Sequence, residues 1–128
     1  MEKWIIPCNV KYYDVEKAFS ELKILDWKQS NKNMQIGDIV YIYVSKPYSE
    51  IRYKCKITKV LLDSIEINDS EYIIDGSNYE KYPTHMELTL LEKYDNKYPM
   101  TLLREYGIRG NIQSPRKVTP ELTALLDK

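Results

Sequence analysis

Apolar positions fall into short runs along this chain, and the spacing inside each run predicts its element. Trp4 to Cys8 is an apolar stretch with Pro7 inside it and reads as a first strand. Asp14 is an acceptable N-cap, and Val15, Ala18, Phe19, Leu22 and Leu25 recur at helical spacing, which predicts a helix. Lys28 to Gln35 is polar and Asn-rich and reads as a loop, so Asp26-Trp27-Lys28-Gln29-Ser30 is expected at a loop. Gly37-Asp38 turns the chain into Ile39–Val44, apolar on both faces, the pattern of a central strand covered on both sides.

Ile51, Tyr53, Cys55 and Ile57 then alternate with Arg52, Lys54, Lys56 and Thr58, which predicts a half-buried strand with its basic residues facing away from the core. Beyond it the apolar phase shifts to Val60 and Leu62, and a bulge near Thr58-Lys59 accounts for the slip. Asp63-Ser64 reads as a turn, Ile65 and Ile67 as a short strand, and Tyr72 to Ile74 as a short apolar piece ended by Asp75-Gly76. Met86, Leu88 and Leu90 alternate with Glu87 and Thr89 in a further strand. A helix is expected from Pro99 to a stop at Gly107, and another opened by Thr119-Pro120 with Leu122, Leu125 and Leu126 on one face. These elements make one domain, residues 1–128, of the α/β (α+β) class: a small mixed β-barrel of five to six strands with flanking helices.

Composition narrows the function. With 43% hydrophobic and 30% charged residues, the 128-residue chain is neither disordered nor membranous. No stretch approaches the roughly 20 apolar residues of a spanning helix, and Lys11 and Asp14 interrupt any signal-peptide h-region, so a cytoplasmic location is expected. Cys8 and Cys55 lack CxxC spacing and are expected as buried free thiols. The net charge is zero, which argues against nonspecific coating of nucleic acid. The charges are nonetheless segregated: Val44–Lys59 has five basic residues against Glu50, Leu61–Glu80 has six acids and no Lys or Arg, and Arg104–Lys117 has four basic residues against Glu105. That asymmetry fits either orientation on a polyanion or an ordinary solvated surface.

Catalytic chemistry is poorly represented, and the expectation is a binding protein and not an enzyme, without cofactor or metal. The single histidine, His85, precedes a strand and reads as a surface or strand-edge residue with no triad or metal partners. The four glycines are scattered and form no phosphate loop. Binding chemistry is better supplied. There are 12 Tyr and 2 Trp, side chains that join a stacking face to a hydrogen-bonding tip. Tyr12-Tyr13 lie at the first strand–helix junction, Trp27 neighbours amide and hydroxyl groups, and Tyr43 and Tyr48 flank the exit of the central strand. An exposed tryptophan there can stack on a base while polar neighbours read its edge; equally, Trp27 can close the core beneath the loop.

The ordered set Trp4-Ile5-Ile6-Pro7-Cys8-Asn9, Asp26-Trp27-Lys28-Gln29-Ser30, Ile36-Gly37-Asp38-Ile39-Val40-Tyr41-Ile42-Tyr43-Val44, the basic strand Arg52 to Ile57, and Asn111-Ile112-Gln113-Ser114-Pro115 resembles the EVE family. EVE domains belong to the PUA-like superfamily, which also holds the YTH and SRA base readers. The chain looks most like the EVE-like segments joined to HNH endonucleases, although it carries no HNH motif. It departs from typical EVE domains in having Lys28-Gln29-Ser30-Asn31 where they carry Gly-Val-Arg-Asn. The resemblance implies a PUA-like barrel that reads a modified nucleobase, methylated or hydroxymethylated cytosine in DNA, in a restriction or defence setting with any nuclease acting in trans. Under it, Trp27 stacks, Tyr43 and Tyr48 form walls, and Asn9, Gln29 and Ser30 contact the base. Arg52, Lys54, Arg109, Gln113 and Arg116 approach the nucleic-acid backbone or a neighbouring base. The alternatives are an RNA- or tRNA-associated PUA-like module and a protein-interaction domain whose tyrosines form an interface.

Overall fold

The computed structural model describes residues 1–62, 72, 74 and 84–127. The expected turns at Asp63-Ser64 and Asp75-Gly76, the strand at Ile65–Ile67 and nearly all of the acidic run lie outside those residues. Along the chain stand β1 (Lys3–Cys8), α1 (Val15–Glu21), β2 (Ile24–Lys28), β3 (Ile39–Val44) and β4 (Glu50–Leu62). They are followed by β5 (His85–Pro99), α2 (Met100–Glu105), β6 (Arg116–Lys117) and α3 (Pro120–Leu126). The strands form one six-stranded mixed sheet in the order β2-β5-β4-β3-β1-β6, in which only β1 and β3 run parallel.

Alternation along the strands builds two cores. Trp4, Ile6 and Cys8 of β1, Leu25 and Trp27 of β2, Val40, Ile42 and Val44 of β3, Tyr53, Cys55 and Ile57 of β4, and Met86 and Leu88 of β5 face inward with Val15, Ala18 and Phe19 of α1. Ile5, Ile39, Tyr41, Ile51, Tyr94 and Tyr98 face outward, beneath Leu103 of α2 and Leu122, Leu125 and Leu126 of α3. β3 is therefore covered on both sides, as its unbroken apolar run predicts. The sheet curls on itself, since β2 and β1, far apart in strand order, line a common cleft. The register of β4 against β5 shifts between Ile57 and Lys59, where the apolar phase slips. A second shift, between Ile51 and Tyr53, puts these two odd-numbered residues into different cores.

Two elements differ from the sequence pattern. The first helix ends at Glu21, and Leu22 is already extended at φ −124°, ψ 153°. Leu25 and Trp27 alternate as inward residues of β2, paired with Leu88 and Met86 of β5. Leu25 satisfies a helical period and a strand period alike, so local spacing cannot choose between them; the ladder offered by β5 does. Trp27 consequently stands on a strand and not in a loop. The expected strand at Met86–Leu90 also runs on to Pro99, through a polar stretch with no alternating signal.

Caps behave as their residues dictate. Asp14 accepts from the Lys17 amide at 3.1 Å, and Thr119 Oγ1 accepts from the Leu122 amide at 3.3 Å, with Pro120 in the first turn of α3. After α2, Gly107 takes φ 97°, and the amides of Ile108 and Gly107 bond to the carbonyls of Leu103 and Arg104. This Schellman arrangement requires a residue at ease in the left-handed region. Asp38 pins the first strand to the third. Its carboxylate accepts from the Glu2 amide, the Trp4 indole Nε1 at 2.9 Å and the Gln35 amide. Burial alone would raise its pKa, but these hydrogen bonds outweigh it and hold the carboxyl below the usual range.

Candidate functional site

The inner core is open at one end, where β1, β2 and β3 bring their last residues together. There a cleft of about 380 Å³ is lined by Pro7, Cys8, Asn9, Tyr12, Tyr13, Trp27, Lys28, Tyr43, Ser45, Ile112 and Gln113. That volume is at the small end of the roughly 300–1,000 Å³ typical of ligand pockets. Its walls are mainly apolar and aromatic. Tyr13 and Trp27 meet edge to face, with centroids 5.5 Å apart and planes at 68°. Trp27 is 8% exposed, so it belongs to the core and to the cleft at once.

Short-range hydrogen bonds hold the polar rim. The Asn9 carbonyl accepts from the Tyr12 and Tyr13 amides at 3.0 and 3.2 Å, and Asn9 Oδ1 accepts from the Lys11 amide. Ser45 ties the opposite wall down: its amide donates to the Cys8 carbonyl, and its hydroxyl accepts from Val10 N at 3.3 Å. Arg116 donates to the carbonyls of Arg109 and Asn111 and so braces the turn that delivers Ile112 and Gln113 to the cleft.

Electrostatics favour a non-nucleophilic site that Lys28 borders. Burial pushes the Cys8 thiol up to about 12; Lys28 opposes that shift, while Glu16 and Asp14 add to it. The thiol therefore stays protonated at neutral pH and is inert as a nucleophile. Lys28 is half-buried, and desolvation lowers its pKa from the free-lysine value, partly offset by Cys8. Exposed Lys11 and Lys46 are next in sequence to the lining residues Tyr12 and Ser45.

A second, more polar cleft of about 410 Å³ adjoins the first. It is lined by Ile6, Pro7, Trp27, Lys28, Ser30, Asn31, Gln113, Ser114 and Pro115. Pro7, Trp27, Lys28 and Gln113 line both.

Of the residues expected at a base site, Trp27, Tyr43 and Asn9 meet in the first cleft, Ser30 lies in the second, and Gln113 borders both. Gln29 and Tyr48 line neither. The Gln29 side chain is buried and engaged: its carbonyl accepts from the Leu61 amide at 2.8 Å, and its amide donates to the carbonyls of Asn31 and Met34. It organises the loop after β2 and has no edge left to offer a base. Tyr48 is instead stacked on Arg52, whose guanidinium carbon lies 4.3 Å from the ring centroid.

Arg52 itself is not a free cation. It contacts Glu16 of α1 at 2.7 Å and Glu50 at 2.6 Å, with Asp95 at 3.6 Å. Burial would lower its pKa, but the two glutamates hold its charge more firmly than usual. Lys54 and Lys56 also stand outside both clefts, as does Arg109. His85 is buried, not exposed at the surface as the sequence suggests. Its Nδ1 lies 3.1 Å from Asp26 Oδ2, because β2–β5 pairing sets the two side chains near one another. Among the described residues, no group of three His, Cys, Asp or Glu could hold a metal ion.

Sequence reasoning noticed Tyr12-Tyr13 but gave them no role in the site, and it passed over Lys28 and Ser45. The doublet next to a strand end and the cation beside Trp27 were signals available to it. Nothing in the sequence marks Cys8 or Ile112 as cleft residues.

No protein-family model and no curated protein sequence matches this chain. Solved structures do. A Pseudomonas putida protein is 18% identical over 98% of this chain and 97% of its own, with a TM-score of 0.67. The ASCH protein of Zymomonas mobilis is 11% identical over 98% of this chain and 94% of its own, with a TM-score of 0.66. The DUF55 domain of human thymocyte nuclear protein 1 is 16% identical over 97% of this chain and 95% of its own, with a TM-score of 0.62. At such low identity the likeness is one of fold. The chain has the small α+β fold of PUA-like domains, and no described helix is long and apolar enough to cross a membrane.

Proposed function

We propose that this chain is a nucleic-acid-binding module that takes an unstacked nucleobase into the aromatic cleft beside Trp27, and that the base it prefers is a modified cytosine in DNA. The observation that carries the reading is the cleft itself, with Tyr12, Tyr13, Trp27 and Tyr43 on its walls and Asn9, Lys28 and Gln113 on its rim. Extruding a base costs a few kcal/mol, and stacking recovers about 1–3 kcal/mol per base, with edge hydrogen bonds adding to it. Cytosine presents both acceptors and an amino donor; lysine donates only, while the Asn and Gln amides do both. The resemblance to EVE domains and the PUA-like fold support the same class of ligand, and a restriction or defence setting with a nuclease in trans follows from that resemblance. Binding without chemistry fits a protonated Cys8 thiol and a His85 paired with Asp26 away from both clefts.

The test is a titration panel of paired DNA and RNA oligonucleotides with plain, methylated and hydroxymethylated cytosine. The wild type is expected to favour one modified oligonucleotide. Tyr12→Ala, at an exposed wall position, is expected to lose roughly tenfold in affinity without loss of fold. If no oligonucleotide binds, and altering the tyrosines instead changes the oligomer mass, the chain is a protein-interaction domain. A preference confined to RNA would make it an RNA-associated PUA-like module.

A further inference from the structure

Two clefts of contrasting chemistry share one dividing wall. The first is walled by aromatic side chains. The second is lined by the polar residues Ser30, Asn31, Gln113 and Ser114 together with Ile6, Pro7 and Pro115. Trp27 and Lys28, consecutive on β2, reach both, and Gln113 closes the wall from the other side.

We infer that the site reads two consecutive nucleotides: one base in the aromatic cleft, and the adjoining nucleotide in the polar cleft, with the phosphodiester between them crossing the Trp27–Lys28–Gln113 wall. The inference rests on the base-binding reading and sharpens it from a base reader to a dinucleotide reader. Three features of the wall carry it. Among the described residues, Lys28 places the only cation that lines either cleft where the linking phosphate must pass. Its side chain is half-buried there, so its attraction for a passing phosphate is screened less than that of a fully exposed lysine. The second cleft is supplied with hydroxyl and amide groups, which suit a sugar and a base edge better than a stacked ring.

The site is also prebuilt on that side. Gln29 anchors the loop that carries Ser30 and Asn31 by bonding to the carbonyls of Asn31 and Met34, and Asn31 Oδ1 accepts from the Asn33 amide at 2.9 Å. Arg116 braces the turn leading to Gln113 and Ser114. Little ordering is left to oppose occupation of the second position.

The experiment compares one base in several forms: plain, methylated and hydroxymethylated cytosine as free deoxynucleosides, as their 5′- and 3′-monophosphates, and as dinucleotides with thymidine on either side. For the base that binds best, the dinucleotide of one polarity is expected to bind about tenfold or more tighter than the nucleoside, with a salt dependence the nucleoside lacks. Ser30→Trp fills the second cleft from an exposed position. It is expected to leave nucleoside affinity within about twofold and to bring the dinucleotide down to it. Ser114→Trp repeats the test from the opposite wall, and a thermal melt confirms that each variant folds. If the nucleoside binds as tightly as both dinucleotides, or if both tryptophan variants keep the dinucleotide advantage, the two-position site is wrong while the base reader stands. If no probe of any form binds, the base-binding reading falls and this inference with it.

Discussion

The two faces of the sheet are built from the same strands and the same alternation, yet one is sealed and the other is open. On the outer face, Ile5, Tyr41, Ile51, Tyr94 and Tyr98 are roofed by α2 and α3, and the helical leucines fill the space completely enough to leave Leu103 and Leu122 fully buried. On the inner face, α1 packs with Met34 and Tyr72 over the sheet, and among the described residues the open end is bordered by Asn9, Tyr12, Tyr13 and Ser45 and by Ile112 and Gln113. A helix delivers a continuous apolar stripe, whereas a turn spends its polar groups on its own backbone. Where turns close a barrel, a cleft with an aromatic wall and a polar rim remains. Charge is distributed differently as well: Arg52 is held by Glu16 of α1 and by Glu50 away from both clefts, and Lys28 lines the open end.

Substitutions can break this contrast, and the largest effect is expected where the two roles coincide. Trp27→Ala removes both a core side chain and a cleft wall and should cost about 3–5 kcal/mol of stability, a large share of the roughly 5–15 kcal/mol that holds an ordinary domain folded. Trp27→Phe should keep the fold and still weaken base binding, so the pair of variants, compared by chemical denaturation and titration, separates packing from stacking. Leu122→Ala on the sealed face should cost about 2–5 kcal/mol in denaturation and leave affinity per folded molecule unchanged. A loss of affinity there would mean that the two faces are coupled.

Gln29→Ala should cost about 1–3 kcal/mol, because the Leu61 amide and the Met34 carbonyl lose a buried partner. Discrimination between modified and plain bases should persist once folded protein is compared. A selective loss of discrimination would return Gln29 to the base.

The smallest effect should appear at Tyr41. Its hydroxyl is buried and makes no hydrogen bond among the described residues. Burial, with Asp127, Tyr98 and Glu92 nearby, pushes its ionisation up to about 12 from 10.0. Tyr41→Phe should therefore raise stability by about 1 kcal/mol at neutral pH. It should also remove a pH slope. The unfolded phenol ionises near 10 and the folded one does not, so the wild type loses stability as pH climbs from there towards 12, and the variant loses less. Melting curves across that range check both.

Patterning by itself determined much of this molecule. The doubly covered third strand, the alternating basic strand with its bulge, the Gly107 stop and the Thr119-Pro120 start are all consequences of local stereochemistry and period. The buried, free character of both thiols follows from their apolar surroundings. Only tertiary structure decided the second strand, because Leu25 fits a helix or a strand until β5 supplies the ladder. It likewise decided which polar residues remained available to a ligand. Sequence neighbours such as Gln29 and Ser30 look equally suited to touch a base, but one amide was consumed by three hydrogen bonds, two within its own loop and one from Leu61 across the fold, and the other side chain stayed exposed at the second cleft. Hydrogen-bond capacity is finite, and its allocation depends on contacts distant in the chain, as the Leu61 amide is from Gln29. The cleft is non-local for the same reason: Cys8, Trp27, Tyr43 and Ile112 are far apart in sequence and meet only because the curled sheet brings β2 back beside β1.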